Sequence, residues 1–247
     1  MKLIFVVITS LSLSAAAVAG PMDRKTEDFV AANLISIFYH ELGHAFIDIM
    51  KLPIFGQEED AADVLSALLI DAWFEEDTAV RIAYATASGF LGDGDSTSPE
   101  EVAYWDVHGP DLQRYYTFVC LFYGANPKAR KAVARDLKLP DGRAETCEEE
   151  FGLANDSWGP VVDELVDNGA GRSVRFLADH RTDAHGKLTA DVIAEEVKSM
   201  NAKMSLPKRL LVKVEPCGAV NAFYDAKARE IIMCTEFARE LSGYAPR

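Results

Sequence analysis

Apolar positions in the first part of the chain recur with a helical period. Phe29, Leu34, Ile37, Phe38, Leu42, Ala45, Phe46 and Ile49 return every three to four residues or so, the spacing that lines a helix face, and the pattern predicts a helix over 24–50. Pro53 and Gly56 then end it and turn the chain. Val64, Leu65, Leu68 and Leu69 make the stripe of a second helix over 57–73, and a third is predicted over 78–90. Residues 92–99, GDGDSTSP, read as a loop. Its end, Ser98-Pro99-Glu100-Glu101, has the cap, the early proline and the acids of a helix start. Further helices are predicted over 112–123, 128–136, 144–151, 161–166 and 189–200, the last capped by Thr189. Alternation then replaces the helical period. A strand is predicted over 173–177, and LLVKVE (210–215), AVNAFY (219–224) and EIIMC (230–234) follow as strands. The sum is an α+β fold, mostly helical, with a small antiparallel β unit near the C-terminus.

The N-terminus has a different character. Lys2 precedes an apolar run rich in Ser and Ala that closes at Ala17-Val18-Ala19, the layout of a signal peptide over 1–19. That leaves 20–247 as a single domain, exported to the periplasm or secreted. No later stretch has eighteen uninterrupted apolar residues, so no membrane span is expected after cleavage. In an oxidising compartment the four cysteines are expected as disulfides. Cys217 and Cys234 flank a predicted hairpin, which favours that pair and leaves Cys120 with Cys147. None has the C-x-x-C spacing, which argues against a cysteine metal site. The 39 acidic and 25 basic residues give a net charge of −14, which repels nucleic acid phosphate and anionic lipid. Nucleic acid is therefore not an expected partner.

The first helix carries two of the five histidines, in H-E-x-x-H: His40, Glu41 and His44. Residues four apart share a helix face, so both imidazoles can point at one ion, and Glu41 reaches the ion's open side. This is the arrangement of a hydrolytic zinc site, in which the glutamate takes the proton of the attacking water. One Zn2+ is the expected cofactor, and a catalytic zinc needs a third protein ligand. Glu58, Glu59, Asp60 and Asp63 follow the turn. From His44 the helix runs on for about 10 Å, and four or five extended residues at about 3.3 Å each bring the chain back. Glu59 is the preferred ligand, because Asp63 lies four residues on and on the same face. Asp63 would accept the second N–H of a ligating histidine and fix its tautomer. Glu58 and Asp60 read as acids at a helix N-terminus, either of which could replace Glu59 if the loop turned differently.

HELGH followed by Glu59-x-x-x-Asp63 resembles the gluzincin class of zinc peptidases. Over a longer span, YHELGHAFIDIMKLPIFGQEEDAAD, HGPDLQRYYTFVCLFYGANP and CGAVNAFYDAKAREIIMCTEF are similar to an uncharacterised bacterial family of zinc metallopeptidase type, a domain of unknown function. The resemblance covers about residues 31–237. It implies metal bound by His40, His44 and Glu59, with Glu41 as base. Many zincins set an edge strand before the metal helix, where substrate pairs by β-addition. Here NAFYD (221–225) comes last, and the C-terminal hairpin is expected to fold back beside His40 to serve as that edge.

Other polar residues are weighed against simpler roles. His108 and Tyr224 are candidate substrate or transition-state contacts, although His108 could equally cap the helix after it. Tyr115 and Tyr116 read as helix packing. His180 and His185 read as a solvated loop, and Asp93 with Asp95 as too few ligands for calcium. The expected function is a zinc-dependent metallopeptidase hydrolysing a peptide or protein substrate. The rivals are a catalytically silent zinc-binding envelope protein and a non-peptide amide hydrolase.

Overall fold

The computed structural model describes residues 22–94, 98, 100–178 and 183–246. The expected signal peptide, His180 and Asp95 lie outside these residues, as does the side chain of Asp93.

The fold is arranged around α1 (Arg24–Met50). Asp23 caps its start, accepting from Lys25 N at 2.9 Å and Thr26 N at 3.1 Å. Its end closes one turn earlier than Pro53. Lys51 takes a left-handed conformation (φ 54°), and Leu52 N bonds Ile47 O at 3.0 Å. α1 packs against α2 (Glu58–Trp73), α3 (Glu76–Gly94), α8 (Ala184–Lys203) and α9 (Thr235–Tyr244), so it is buried on almost every side. Phe38, Leu42 and Phe46 are wholly buried, each stabilising the fold by about 1.5–3 kcal/mol. Two of its buried polar residues are bonded within the core: Asn33 Nδ2 donates to Phe29 O, and the Ser36 and Ser66 hydroxyls pair at 3.1 Å.

α4 (Asp111–Ala125) packs on α2 and α3. Two short helices, α5 (Lys131–Asp136) and α6 (Asp141–Ala144), lead into α7 (Cys147–Asp167). The predicted helices over 144–151 and 161–166 are therefore parts of one long helix that runs through Gly159 and Pro160. Tertiary packing overrides the local breakers here: Trp158 is buried and its Nε1 donates to Ala61 O at 3.2 Å, while Leu165 is fully enclosed. Ser98 does not start a helix. Its hydroxyl and N–H both bond Glu101, at 2.8 and 3.3 Å, but a turn follows. The helix predicted from Thr189 begins earlier, at Ala184, and Asp183 caps it. Thr189 lies inside it with its hydroxyl on His185 O. α9 is an addition to the elements that the pattern predicts.

Four strands form one sheet in the order β1-β2-β4-β3: β1 (Val174–Ala178), β2 (Leu210–Glu215), β3 (Ala222–Asp225) and β4 (Glu230–Cys234). The expected antiparallel unit is a mixed sheet. β1 and β4 both run parallel to β2, and only β3–β4 is an antiparallel pair. After β2 the chain passes outside β4's place before turning back, so β4 fills the gap between β2 and β3. Edge strand β3 packs against α1, where Tyr224 Oη donates to Asp48 Oδ2 at 2.8 Å.

Both predicted disulfides are present, Cys120–Cys147 tying α4 to α7 and Cys217–Cys234 bracing the β3–β4 hairpin. They are compatible with an oxidising compartment. Among the described residues no helix is long and apolar enough to cross a membrane. The Cys120–Cys147 bridge closes a loop with a sequence separation of 27, and loop-closure entropy assigns it about 3.5 kcal/mol. A Cys120→Ser/Cys147→Ser double variant is expected to lose about that much in urea unfolding. A loss under about 1 kcal/mol would show that α4 and α7 are held without it.

Candidate metal centre

The centre depends on how closely α1 and α2 approach. A Cβ built on Gly43 would lie 2.7 Å from Ala62 Cα and 3.0 Å from its Cβ, so only glycine allows this crossing. Gly43 lies between the histidines on the chain, and Ala62 between Glu59 and Asp63. The near-contact of the two small residues sets the carboxylates of α2 over the imidazoles of α1.

His40 Nε2 and His44 Nε2 stand 3.3 Å apart, and each is 3.1 Å from Glu59 Oε2. These three atoms form a group that could hold a metal ion. On the outer side of each ring, His40 Nδ1 meets Asp63 Oδ1 at 2.7 Å and His44 Nδ1 meets Glu58 Oε1 at 2.8 Å. A carboxylate on Nδ1 keeps the proton of a neutral imidazole there and turns the Nε2 lone pair inward. Two lone pairs and a carboxylate oxygen then face each other at close range, which repels unless positive charge lies between them. Donors bonded to a tetrahedral zinc at about 2.0–2.1 Å stand about 3.3 Å apart, so both donor chemistry and spacing fit such an ion.

In the metal-free site that positive charge would come from protons on the imidazoles, which a bound ion would displace. Burial opposes a charged imidazole at His40, but the bonds to Asp63 and Glu59 outweigh it and lift its pKa to about 9. At His44 burial is likewise outweighed by Glu59 and Glu58, and the pKa is raised. Burial would raise the carboxyl pKa of Glu59, yet His108, His40 and His44 hold it far below the usual carboxylate range. Asp63 is also held low against burial, by Arg114 first and then His40. Arg114 grips Asp63 with two bonds, Nε to Oδ2 at 2.7 Å and Nη2 to Oδ1 at 2.9 Å, the strong forked geometry of this pair. Glu41 is buried, and burial raises its pKa despite the nearby imidazoles.

The other sequence candidates divide. His108 does not cap α4. Its Nε2 lies 2.9 Å from Glu59 Oε2, and its ring stacks on His40 at 6.0 Å between centroids. Tyr224 lines the cleft onto which His40, His44 and Glu59 open, but its hydroxyl is bonded to Asp48. Tyr115 is buried and donates to Leu137 O, which is helix packing as expected. His185 is not in a solvated loop: it is buried in the first turn of α8. Asp60 stays exposed. Glu58, read from the sequence as a helix-terminal acid or a substitute ligand, has a different contact. It reaches His44 from the rim of α2. Arg114 and Gly43 were also missed. The paired small residues Gly43 and Ala62 were a legible sign of close packing, whereas nothing local links Arg114 to Asp63.

Two variants test this arrangement. Gly43→Ala gains about 1 kcal/mol of helix propensity but overpacks the crossing by about 1–3 kcal/mol. It is expected to weaken metal binding at least about tenfold in chelator competition, and unchanged affinity would remove the close approach as a constraint. Asp63→Ala leaves the partly buried Arg114 without its partner, and about 3 kcal/mol should be lost in urea unfolding of the metal-free protein.

A family model described as "Putative metallopeptidase", a domain of unknown function, matches residues 7–161 and 178–245. No curated protein and no solved structure matches the chain. The two matched segments span most of the sequence and include His40, Glu41, His44, Glu59 and Asp63, and the chain belongs to this metallopeptidase family.

Proposed function

We propose that the protein is a zinc-dependent metallopeptidase of gluzincin type, acting outside the cytoplasm on a peptide or protein substrate. The observation that carries this reading is the convergence of His40 Nε2, His44 Nε2 and Glu59 Oε2 at 3.1–3.3 Å. Zinc held by these residues would supply Lewis acidity and lower the pKa of a bound water to about 7. Two nitrogens and one carboxylate oxygen suit zinc, and the cleft beside them leaves room for substrate.

Within this reading, Glu41 takes the proton of the attacking water on its carboxylate and returns it to the leaving amine nitrogen. Asp63 and Glu58 hold the imidazoles by Nδ1. His108 Nε2 meets Glu59 Oε2, the oxygen that would bind the ion, and with that oxygen engaged its N–H would be free to donate toward the oxyanion that develops on the scissile carbonyl. Tyr224 forms the cleft wall, and its bond to Asp48 leaves it a substrate contact rather than an oxyanion donor. Ala222, Phe223 and Tyr224 of the edge strand β3 line the same cleft, which supports an extended peptide adding to that strand. The two disulfides support an exported protein, periplasmic or secreted.

Glu41→Gln is the decisive variant. It is expected to keep one zinc per chain by elemental analysis and to lose peptide turnover by at least about a hundredfold. Wild-type protein that binds zinc but cleaves nothing in an unbiased peptide library would favour a silent zinc-binding protein. Turnover of small amides alone would favour the amide hydrolase. Purified protein without zinc, and with no uptake on reconstitution, would sink all three readings.

A further inference from the structure

A second cavity, of about 240 Å³, opens beneath the centre and shares His40, Glu41, His108, Asn221 and Ala222 with the cleft. It extends along α1 as far as Asn33, which lies seven residues before His40, about 10 Å along the axis. An apolar cavity of about 150 Å³ holds a benzene ring, so this one accepts a ring with a substituent.

The lining changes along its length. Ile37, Phe90, Phe118 and Phe237 make apolar walls. The far end is polar and uncharged. Asn33 lies against Gly89, where an added Cβ would come within 2.2 Å of its Oδ1. Thr86, only 3% exposed, contributes a buried Oγ1 without a hydrogen-bond partner among the described residues. Such a hydroxyl is costly unless something bonds to it. The charged lining residues carry both signs, Glu41, Asp63 and Asp111 against His40, His108 and Arg114. A long charged side chain of either sign would carry its charge past them to an end without a counter-charge.

We propose that this cavity receives the side chain of the substrate residue next to the scissile bond and selects tyrosine, with the phenol directed at Thr86 and Asn33. The placement next to the bond rests on the metallopeptidase reading, whereas the cavity's ligand chemistry does not. 4-Methylphenol, toluene and n-butylamine, the side-chain equivalents of tyrosine, phenylalanine and lysine, can be titrated into the full chain and followed by NMR or calorimetry. 4-Methylphenol is expected to bind about fivefold more tightly than toluene, the worth of one added hydrogen bond, and n-butylamine not at all. Thr86→Val, which keeps the side-chain shape, should bring the first two to near parity. Leu241→Trp, which fills the cavity, should abolish both. Equal binding of phenol and toluene by the wild type, no binding of either, or preference for the amine would overturn the proposal. A peptide library then separates the two readings. Cleavage without tyrosine on either side of the bond overturns the specificity and leaves the peptidase standing. Selective phenol binding with no peptide cleaved supports the cavity's chemistry and sinks the peptidase.

Discussion

Gly43 and Ala62 meet at backbone distance, and the proposed metal centre depends on that contact. Two helices whose crossing point carries side chains stand 8–10 Å apart in general, and at the wide end of that range short carboxylates on one would not reach imidazoles on the other. Here the contact allows Glu59 to meet both Nε2 atoms and Asp63 to meet His40 Nδ1 in the same turn-and-a-half of α2. The requirement explains why a residue with weak helix propensity lies at the middle of the most buried helix. It also explains why Ala62, with no chemistry of its own, stands between two residues that have it.

Bringing acids inside creates a second requirement, because buried carboxylates need partners. Arg114 meets it for Asp63, and in doing so draws α4 onto α2. The same guanidinium lies 5.0 Å from the centre of the Phe90 ring on α3, a cation–π contact. One arginine thus joins three helices around the centre. α4 is tied in turn to α7 through Cys120–Cys147, and α7 reaches back to α2 through Trp158 and Ala61 O. Packing on this side of the molecule closes a ring that begins and ends at the helix carrying Glu59.

What could be read from the sequence was what short spacings encode. His40 and His44 share a face because they are four apart. Glu59 and Asp63 do so for the same reason, and the Pro53–Gly56 turn limits how far α2 can stray. Long helices with strong periodicity, the strand segments and both cysteine pairs were legible in the same way. The misses have a common cause, which is contact between residues distant along the chain. Arg114 is 51 positions from Asp63, and no local pattern announces their pairing. Glu58 reads as an acid at a helix N-terminus, but from that end it reaches sideways to His44 Nδ1. Gly159 and Pro160 look like breakers until Trp158 is buried against α2. His185 looks solvated until α9 and α8 pack together.

Strand order bears directly on the cleft. A simple antiparallel meander would have put β3 between β2 and β4, with both of its edges bonded. In the mixed sheet β4 occupies the inner position by pairing parallel to β2, and β3 is displaced to the margin. Among the described residues β3 pairs on one edge alone, and its Ala222, Phe223 and Tyr224 line the cleft together with His40 and Glu41. Exposed edges invite unwanted pairing, and most sheets shorten or cover them. β3 is short, four residues, and it faces a cleft rather than open solvent, so the edge is protected from chance partners while staying open to a narrow extended one. The topology that the alternating pattern could not reveal is therefore the one that a peptide-binding reading of the cleft requires.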